Sequence, residues 1–265
     1  MKSGVCLVLV AFLGLTGCGA APKGGVNHAS KDALSTRHAP AGDTLSSGWT
    51  EVGRSVQGRV IEAVTVGGGG RRVLVIGGIH GNEDEGQAAI DALVDAMRTA
   101  PARVRIIRDM NPDGTAARTR GNAHAVDLNR NWPATSFRPG SGRGPRPLSE
   151  PETAAVAADI QRFSPEVVVV FHSTGRGPFV NFDGPAADLA SAFARAAART
   201  DDRWLVVSDM AYATPGSLGS FVGVDHGVSI LTIEFDRAER AERVIEAALA
   251  GMRAIVAPRD QEVRR

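Results

Sequence analysis

Cysteine is nearly absent from the chain. Its 265 residues include only Cys6 and Cys18, both near the amino terminus, so no disulfide framework can brace the body of the protein. An excess of either charge is missing too: 30 Lys and Arg face 29 Asp and Glu, a net charge of +1, with no block of like charges. No nucleic-acid partner is expected from such a balance. Tyrosine occurs once, as Tyr212, while glycine and alanine are abundant, the composition of a GC-rich bacterial source. No hydrophobic run is long enough to cross a bilayer as a helix; residues 5–15 form an apolar stretch well short of the ~20 required. What is present is 43% hydrophobic content in 265 residues, sufficient for one substantial core and better suited to a single domain with extensions than to two domains.

The short apolar stretch follows Lys2 and runs into Leu15-Thr16-Gly17-Cys18. This resembles a bacterial lipoprotein signal, in which cleavage leaves Cys18 as a lipidated first residue; an ordinary secretory signal or a short buried helix are the other readings. Residues 1–17 are therefore expected to be a signal peptide. Residues 18–48, rich in Gly, Ala, Ser and Pro and without apolar period, read as a flexible tether in which His28 and His38 are solvated. The folded domain is expected at 49–257, with a tail at 258–265.

Within the domain, two β-branched runs flank Gly67-Gly68-Gly69-Gly70, a turn signal between strands. Residues 84–99 repeat apolar side chains at helical spacing, and Val104-Arg105-Ile106-Ile107-Arg108 reads as a strand leading into Asn111-Pro112-Asp113-Gly114, a turn by composition. Residues 138–147 contain nothing to bury and read as an exposed loop. Ser149-Glu150-Pro151-Glu152 has the form of a helix start with Ser at the N-cap and Glu three residues on. A valine-rich strand over 166–171 ends at His172. Helices over 185–200 and 238–255, and strands over 204–207 and 229–235, complete the pattern. Such alternation predicts an α/β three-layer sandwich, a mixed, mainly parallel sheet with helices on both faces, whose sites form at the carboxyl ends of strands.

His80, Glu83, His172 and Glu234 lie at or near such ends. The stretch Gly77-Gly78-Ile79-His80-Gly81-Asn82-Glu83 closes an apolar strand with an imidazole and a carboxylate, two groups that zinc accepts. Alone, His-x-x-Glu is a weak signal, more often a solvated loop than a metal site. His172, at the exit of the valine strand, supplies the third ligand that a catalytic zinc site needs, with a fourth position left for water. Glu234 is a single carboxylate among apolar neighbours, either a general base or a buried ion-pair partner.

At this point the chain resembles the zinc carboxypeptidase family, and its short bacterial branch of murein peptide amidases. The resemblance rests on Gly78-Ile79-His80-Gly81-Asn82-Glu83, Asn111-Pro112-Asp113-Gly114, Thr119-Arg120-Gly121-Asn122, Val126-Asp127-Leu128-Asn129-Arg130-Asn131-Trp132, Ser149-Glu150-Pro151-Glu152-Thr153, Phe171-His172-Ser173 and Thr232-Ile233-Glu234-Phe235, in the family's order. Tyr212 through Ser220 looks specifically like the amidase branch. The resemblance implies one Zn2+ per chain on His80, Glu83 and His172, with Glu234 as general base and Arg120 as oxyanion donor. It also implies Asn129 and Arg130 on the substrate's terminal carboxylate, Tyr212 closing over substrate, and Asp127 orienting a metal-bound histidine. Gly219 and Ser220 fall where the family lines its side-chain pocket, and Asp225 is a candidate to meet a substrate ammonium; His124 and His226 are read as bystanders. The implied substrate is a murein peptide, cleaved between γ-D-glutamate and meso-diaminopimelate. Alternatives are a general metallocarboxypeptidase, an aspartoacylase-like deacylase of N-acyl amino acids, and a non-catalytic surface binding lipoprotein. A lipid anchor would make the membrane a partner and the cell envelope the location. Replacing Cys18→Ala is expected to release the protein from the membrane fraction on cell fractionation; persistent membrane association would remove the lipoprotein reading.

Overall fold

The computed structural model describes residues 48–258; the expected signal segment with Cys18, the expected tether with His28 and His38, and the end of the expected tail lie outside the described residues. Eight strands form one sheet in the order β1-β2-β4-β3-β5-β8-β6-β7. They are β1 Thr50–Arg54, β2 Val60–Gly67, β3 Arg72–Ile76, β4 Arg103–Ile107, β5 Val167–Thr174, β6 Phe179–Asp183, β7 Leu205–Val207 and β8 Ser229–Asp236. The helices are α1 Ile90–Met97, α2 Pro112–Ala117, α3 Pro151–Phe163, α4 Ala187–Ala197 and α5 Ala241–Val256. No described helix is long and apolar enough to cross a membrane.

Strand side chains alternate between two faces, and the core divides accordingly. Val73, Val75, Val167, Val169 and Ile233 pack with α1, α4 and α5 on one face. Leu74, Ile76, Val168, Val170 and Ile230 pack with α3 and the Trp132 segment on the other. Helix α1 turns Ile90, Leu93, Val94 and Met97 into the first layer. The result is the expected three-layer α/β sandwich with a mixed sheet.

The central strands β4, β3, β5 and β8 run parallel. From β3 the chain passes to β4 on one side, then returns to β5 on the other. The loops leaving β3 and β5 therefore diverge, which opens a crevice at their carboxyl ends.

Gly67–Gly70 turns the chain from β2 into β3 as expected, although the two strands are not neighbours, since β4 stands between them. Two local expectations are corrected. Asn111-Pro112-Asp113-Gly114 is the start of α2 rather than a free turn: Asn111 Oδ1 accepts from Gly114 N at 3.0 Å and Pro112 occupies the first turn, where its missing N–H costs nothing. Ser149 does not cap α3; its hydroxyl donates to Glu150 at 2.7 Å, and buried Asn131 accepts from Glu150 N at 3.2 Å and from Thr153 Oγ1 at 2.7 Å. A distant amide thus anchors the start of α3 without capping it, and the same side chain donates to the carbonyls of Arg143 and Arg146, pinning the exposed loop beneath.

One buried ion pair joins the sheet to α3. Arg105 on β4 donates from Nε and Nη2 to the two Asp159 oxygens at 2.6 and 2.8 Å, and from Nη1 to Thr65 at 2.9 Å. Removing one partner strands the other charge away from water. Asp159→Ala is expected to lower unfolding free energy by about 3–5 kcal/mol in urea titrations, with the double replacement Arg105→Met/Asp159→Leu recovering most of it.

Candidate active site

The exit of β3 is held tightly before it reaches its functional side chains. Gly77 N donates to Ile107 O at 3.1 Å, Met110 N donates back to Gly77 O at 2.9 Å, and Gly78 sits at φ 64°, a left-handed conformation suited to glycine. The next turn closes with Glu83 N on His80 O at 3.2 Å, which brings both side chains to one side. Gly81 lies against the start of α2: a Cβ there would fall 1.9 Å from the Gly114 carbonyl carbon. The motif's glycine therefore packs the metal-ligand loop onto the helix that begins at Asn111.

His172 is inside β5, not at its end, and the parallel register sets it directly opposite Glu234 on β8. Neighbouring strands lie ~4.8 Å apart, so the two side chains enter one space. His80, Glu83 and His172 converge there, all buried. His172 Nδ1 lies 2.8 Å from Glu83 Oε2 and 3.1 Å from His80 Nδ1, and His80 Nδ1 lies 3.0 Å from the same Glu83 oxygen.

This donor set fits zinc. His80 Nε2 faces Asp127 Oδ1 at 3.0 Å, and a carboxylate can only accept, so that nitrogen carries the hydrogen and Nδ1 keeps a bare lone pair. Two imidazole nitrogens and a carboxylate oxygen then point at one centre, an arrangement that positive charge stabilises. The titration behaviour agrees. Burial would lower the His80 pKa, but bonds to Asp127 and Glu83 outweigh it and raise it. Burial would raise Glu83, but bonds from His172 and His80 hold it far below the usual carboxylate range.

Around this centre is a cavity of about 230 Å³ lined by Arg120, Asn129, Arg130, Tyr212, Glu234 and Arg237 among others. Arg120 donates from Nη1 to Glu83 Oε1 and from Nε to Asp127 Oδ2, both at 3.0 Å. Asp127 thus touches His80 and Arg120 at once and also accepts from Asn129 N at 2.8 Å, starting the turn that carries Asn129 and Arg130. Asn129 Oδ1 accepts from Leu218 N at 2.9 Å, tying that turn to the segment after Tyr212. Burial lowers the Arg130 pKa. Burial raises that of Glu234, with nearby Glu83 adding to the effect and His172 opposing it. Tyr212 is exposed at the rim.

Some expectations are not met. Asp225 is not among the residues lining the cavity; its carboxylate accepts from Thr135 N at 2.7 Å and Thr135 Oγ1 at 2.6 Å. Ser220 also falls outside the lining, its hydroxyl donating to Thr214 O at 3.2 Å, whereas Gly219 does line it. His124 pairs with Glu150 at 2.7 Å and His226 stacks edge-on against Phe221, so both stand apart from the centre. Two charged lining residues were missed. Arg237, 3.4 Å from Glu83 Oε1, follows Glu234 by three residues, which was the available signal. Asp183 ends β6, a short strand between glycine-proline pairs that was not read as one.

The profile of the zinc carboxypeptidase family matches residues 47–241. Murein peptide amidase A of Escherichia coli strain K12 is 30% identical over 179 residues, covering 61% of this chain and 70% of that protein. The protein of the same name from Vibrio campbellii is 32% identical over 190 residues, covering 62% and 68% respectively. Among solved structures, the murein-tripeptide amidase of Escherichia coli O157 superposes with a TM-score of 0.66 at 27% identity, covering 82% of this chain and 96% of that one. Gly81→Ala is expected to shift the unfolding midpoint downward by the equivalent of about 1–3 kcal/mol, since backbone rather than a flexible side chain must give way; an unchanged midpoint would show that the loop is not clamped to α2.

Proposed function

The chain belongs to the zinc carboxypeptidase family, and from that premise we propose that it is a zinc-dependent amidase that hydrolyses the bond between γ-D-glutamate and meso-diaminopimelate in murein peptides. The observation that carries the reading is the single cavity in which His80, Glu83 and His172 meet Glu234 and Arg120, in a chain about one-third identical to murein peptide amidases.

We assign one zinc ion per chain to His80, Glu83 and His172. When bound, zinc polarises the scissile carbonyl and lowers the pKa of a water toward ~7. Glu234 takes the proton of the attacking water and delivers it to the leaving amine, a task helped by the burial that raises its proton affinity. Arg120, steadied by Asp127, presents its guanidinium to the oxygen that gains negative charge. Asn129 and Arg130 hold the terminal carboxylate, for which a guanidinium fork is well shaped. Tyr212 covers the bound residue from the rim. Asp127, through His80 Nε2, keeps the ligand ring in its metal-binding tautomer.

A deacylase of N-acyl amino acids is disfavoured by the family match, and a purely binding role by the presence of every ligand together with Glu234. Lipidation at Cys18 would hold the enzyme in the cell envelope, where murein lies; the Leu15-Thr16-Gly17-Cys18 pattern supports that location.

The test is release of diaminopimelate from L-Ala-γ-D-Glu-meso-diaminopimelate by the zinc-loaded full chain, beside ordinary C-terminal peptides. Glu234→Gln should lower kcat/KM by about 10²–10⁴-fold while zinc stoichiometry, read by elemental analysis, stays at one. Cleavage of ordinary peptides in preference would transfer the same machinery to a general carboxypeptidase.

A further inference from the structure

Behind Arg120 lies a buried polar knot that the catalytic roles leave unused. Asn122 follows that arginine by two residues, and its side chain is buried outside the lining of the cavity. Its amide spends its whole bonding capacity. Oδ1 accepts from His124 N and Val126 N, both at 3.1 Å, while Nδ2 donates to Glu150 Oε2 at 2.8 Å and to Glu152 Oε2 at 3.0 Å. Both carboxylates are buried and both have further anchors. Glu152 Oε1 accepts from Val56 N at 3.0 Å, and Glu150 accepts from Ser149 Oγ and pairs with His124 Nδ1, each at 2.7 Å. Burial would raise the Glu150 pKa, but the bonds from Asn122, Ser149 and His124 hold it below its ordinary value.

This knot sets the shape of the loop that joins two groups of the site. Asn122 N donates to Val126 O and Ala125 N donates to Asn122 O, both at 2.9 Å, and Ala125 turns the chain at φ 57°. The chain therefore doubles back over residues 122–126. Arg120 and Asp127 stand at its two ends, and their side chains meet at 3.0 Å. The Arg120 side chain is 47% exposed, so packing alone does not hold it. A long solvated side chain keeps much of its rotamer freedom unless its base and its partner are both fixed. An amide is required at the centre of the knot, since a carboxylate there would turn an acceptor toward two buried acceptors.

We propose that Asn122 is the positioning residue for the oxyanion donor: by tying residues 122–126 to Glu150 and Glu152, it holds Asp127 against Arg120 and so aims the guanidinium into the cavity. The assignment rests on the role of Arg120 in the amidase reading. It extends that reading to a side chain that neither lines the cavity nor bonds a metal-ligand candidate. Glu152 belongs to α3 and Glu150 directly precedes it, so one amide couples that helix to the site.

A double-mutant cycle between Asn122→Asp and Arg120→Ala tests this, with the zinc-loaded full chain acting on L-Ala-γ-D-Glu-meso-diaminopimelate. Asn122→Asp keeps the side-chain shape and places an acceptor where a donor stood. It should lower kcat by about 10–100-fold, a part of the ~10²–10³ expected for loss of the donor itself, with KM changed by less than about threefold. On the Arg120→Ala background the same replacement should cost less than about twofold, because the group through which it acts is gone. Glu150→Ala removes one of the two bonds and leaves the amide in place. It should give a smaller loss in kcat with the same coupling, and it carries the test where Asn122→Asp does not fold. A loss of equal size in both backgrounds, or a rise in KM with kcat unchanged, would overturn the assignment and leave the amidase reading intact. If the substrate is not cleaved, water exchange of the Arg120 Nε proton decides, followed by NMR on isotope-labelled arginine and assigned through Arg120→Lys. Exchange at least about tenfold faster in Asn122→Asp upholds the positioning role while the amidase reading falls, and unchanged exchange overturns both.

Discussion

Everything at this site depends on the parallel pairing of β5 with β3 on one side and β8 on the other. The register with β8 puts His172 across from Glu234, and the pairing with β3 delivers the His80 loop to the same edge. Parallel strands share an orientation, so their carboxyl ends open together, and the reversal of chain direction around β3 leaves that edge uncovered. A slip of one residue in β5 would send His172 to the opposite face, among the apolar side chains that meet α1, α4 and α5. The unbroken valines of β5, buried on both faces, add packing to the backbone ladders that set that register.

Around this edge the electrostatics are layered. Asp127 is central although it is no candidate metal ligand: one oxygen faces His80, the other Arg120, and its first oxygen also starts the turn bearing Asn129 and Arg130. Burial would raise its pKa, but the His80 contact and the charges of Arg120 and Arg130 hold it well below the usual range. One carboxylate thus aligns His80, Arg120 and the turn that carries Asn129 and Arg130. Glu83 divides its own oxygens in a similar way, one toward the two histidines and one toward Arg120 and Arg237. Arg120, Arg130, Arg237 and Asp183 all line the cavity, so it presents groups of both charges.

The His-x-x-Glu loop was legible because glycines flank it and a β-branched run precedes it, features that local sterics impose wherever a strand must stop abruptly. His172 and Glu234 stood out because a titratable group amid apolar strand residues needs an explanation. By contrast, the Ser149 cap does not form: the serine pattern is local, while the amide that holds the start of α3, Asn131, arrives from far along the chain. The Gly67–Gly70 run marks the turn between β2 and β3 correctly, but such a run does not say which strand lies alongside, and β4 intervenes.

By itself the sequence determined the α/β class, the three candidate zinc ligands and the family, and it singled out Glu234, because each is written in residue type and short-range order. Only the tertiary structure decided which carboxylate belongs to the cavity. Asp225 is close in sequence to the cavity-lining segment yet is consumed by Thr135, whereas Asp183 reaches the cavity from β6 through antiparallel pairing with β8. Sequence proximity constrains only a few ångströms of backbone. Which side chain faces a shared space is set by strand register and by glycines whose missing Cβ atoms leave room, and both become visible only when distant segments pack together.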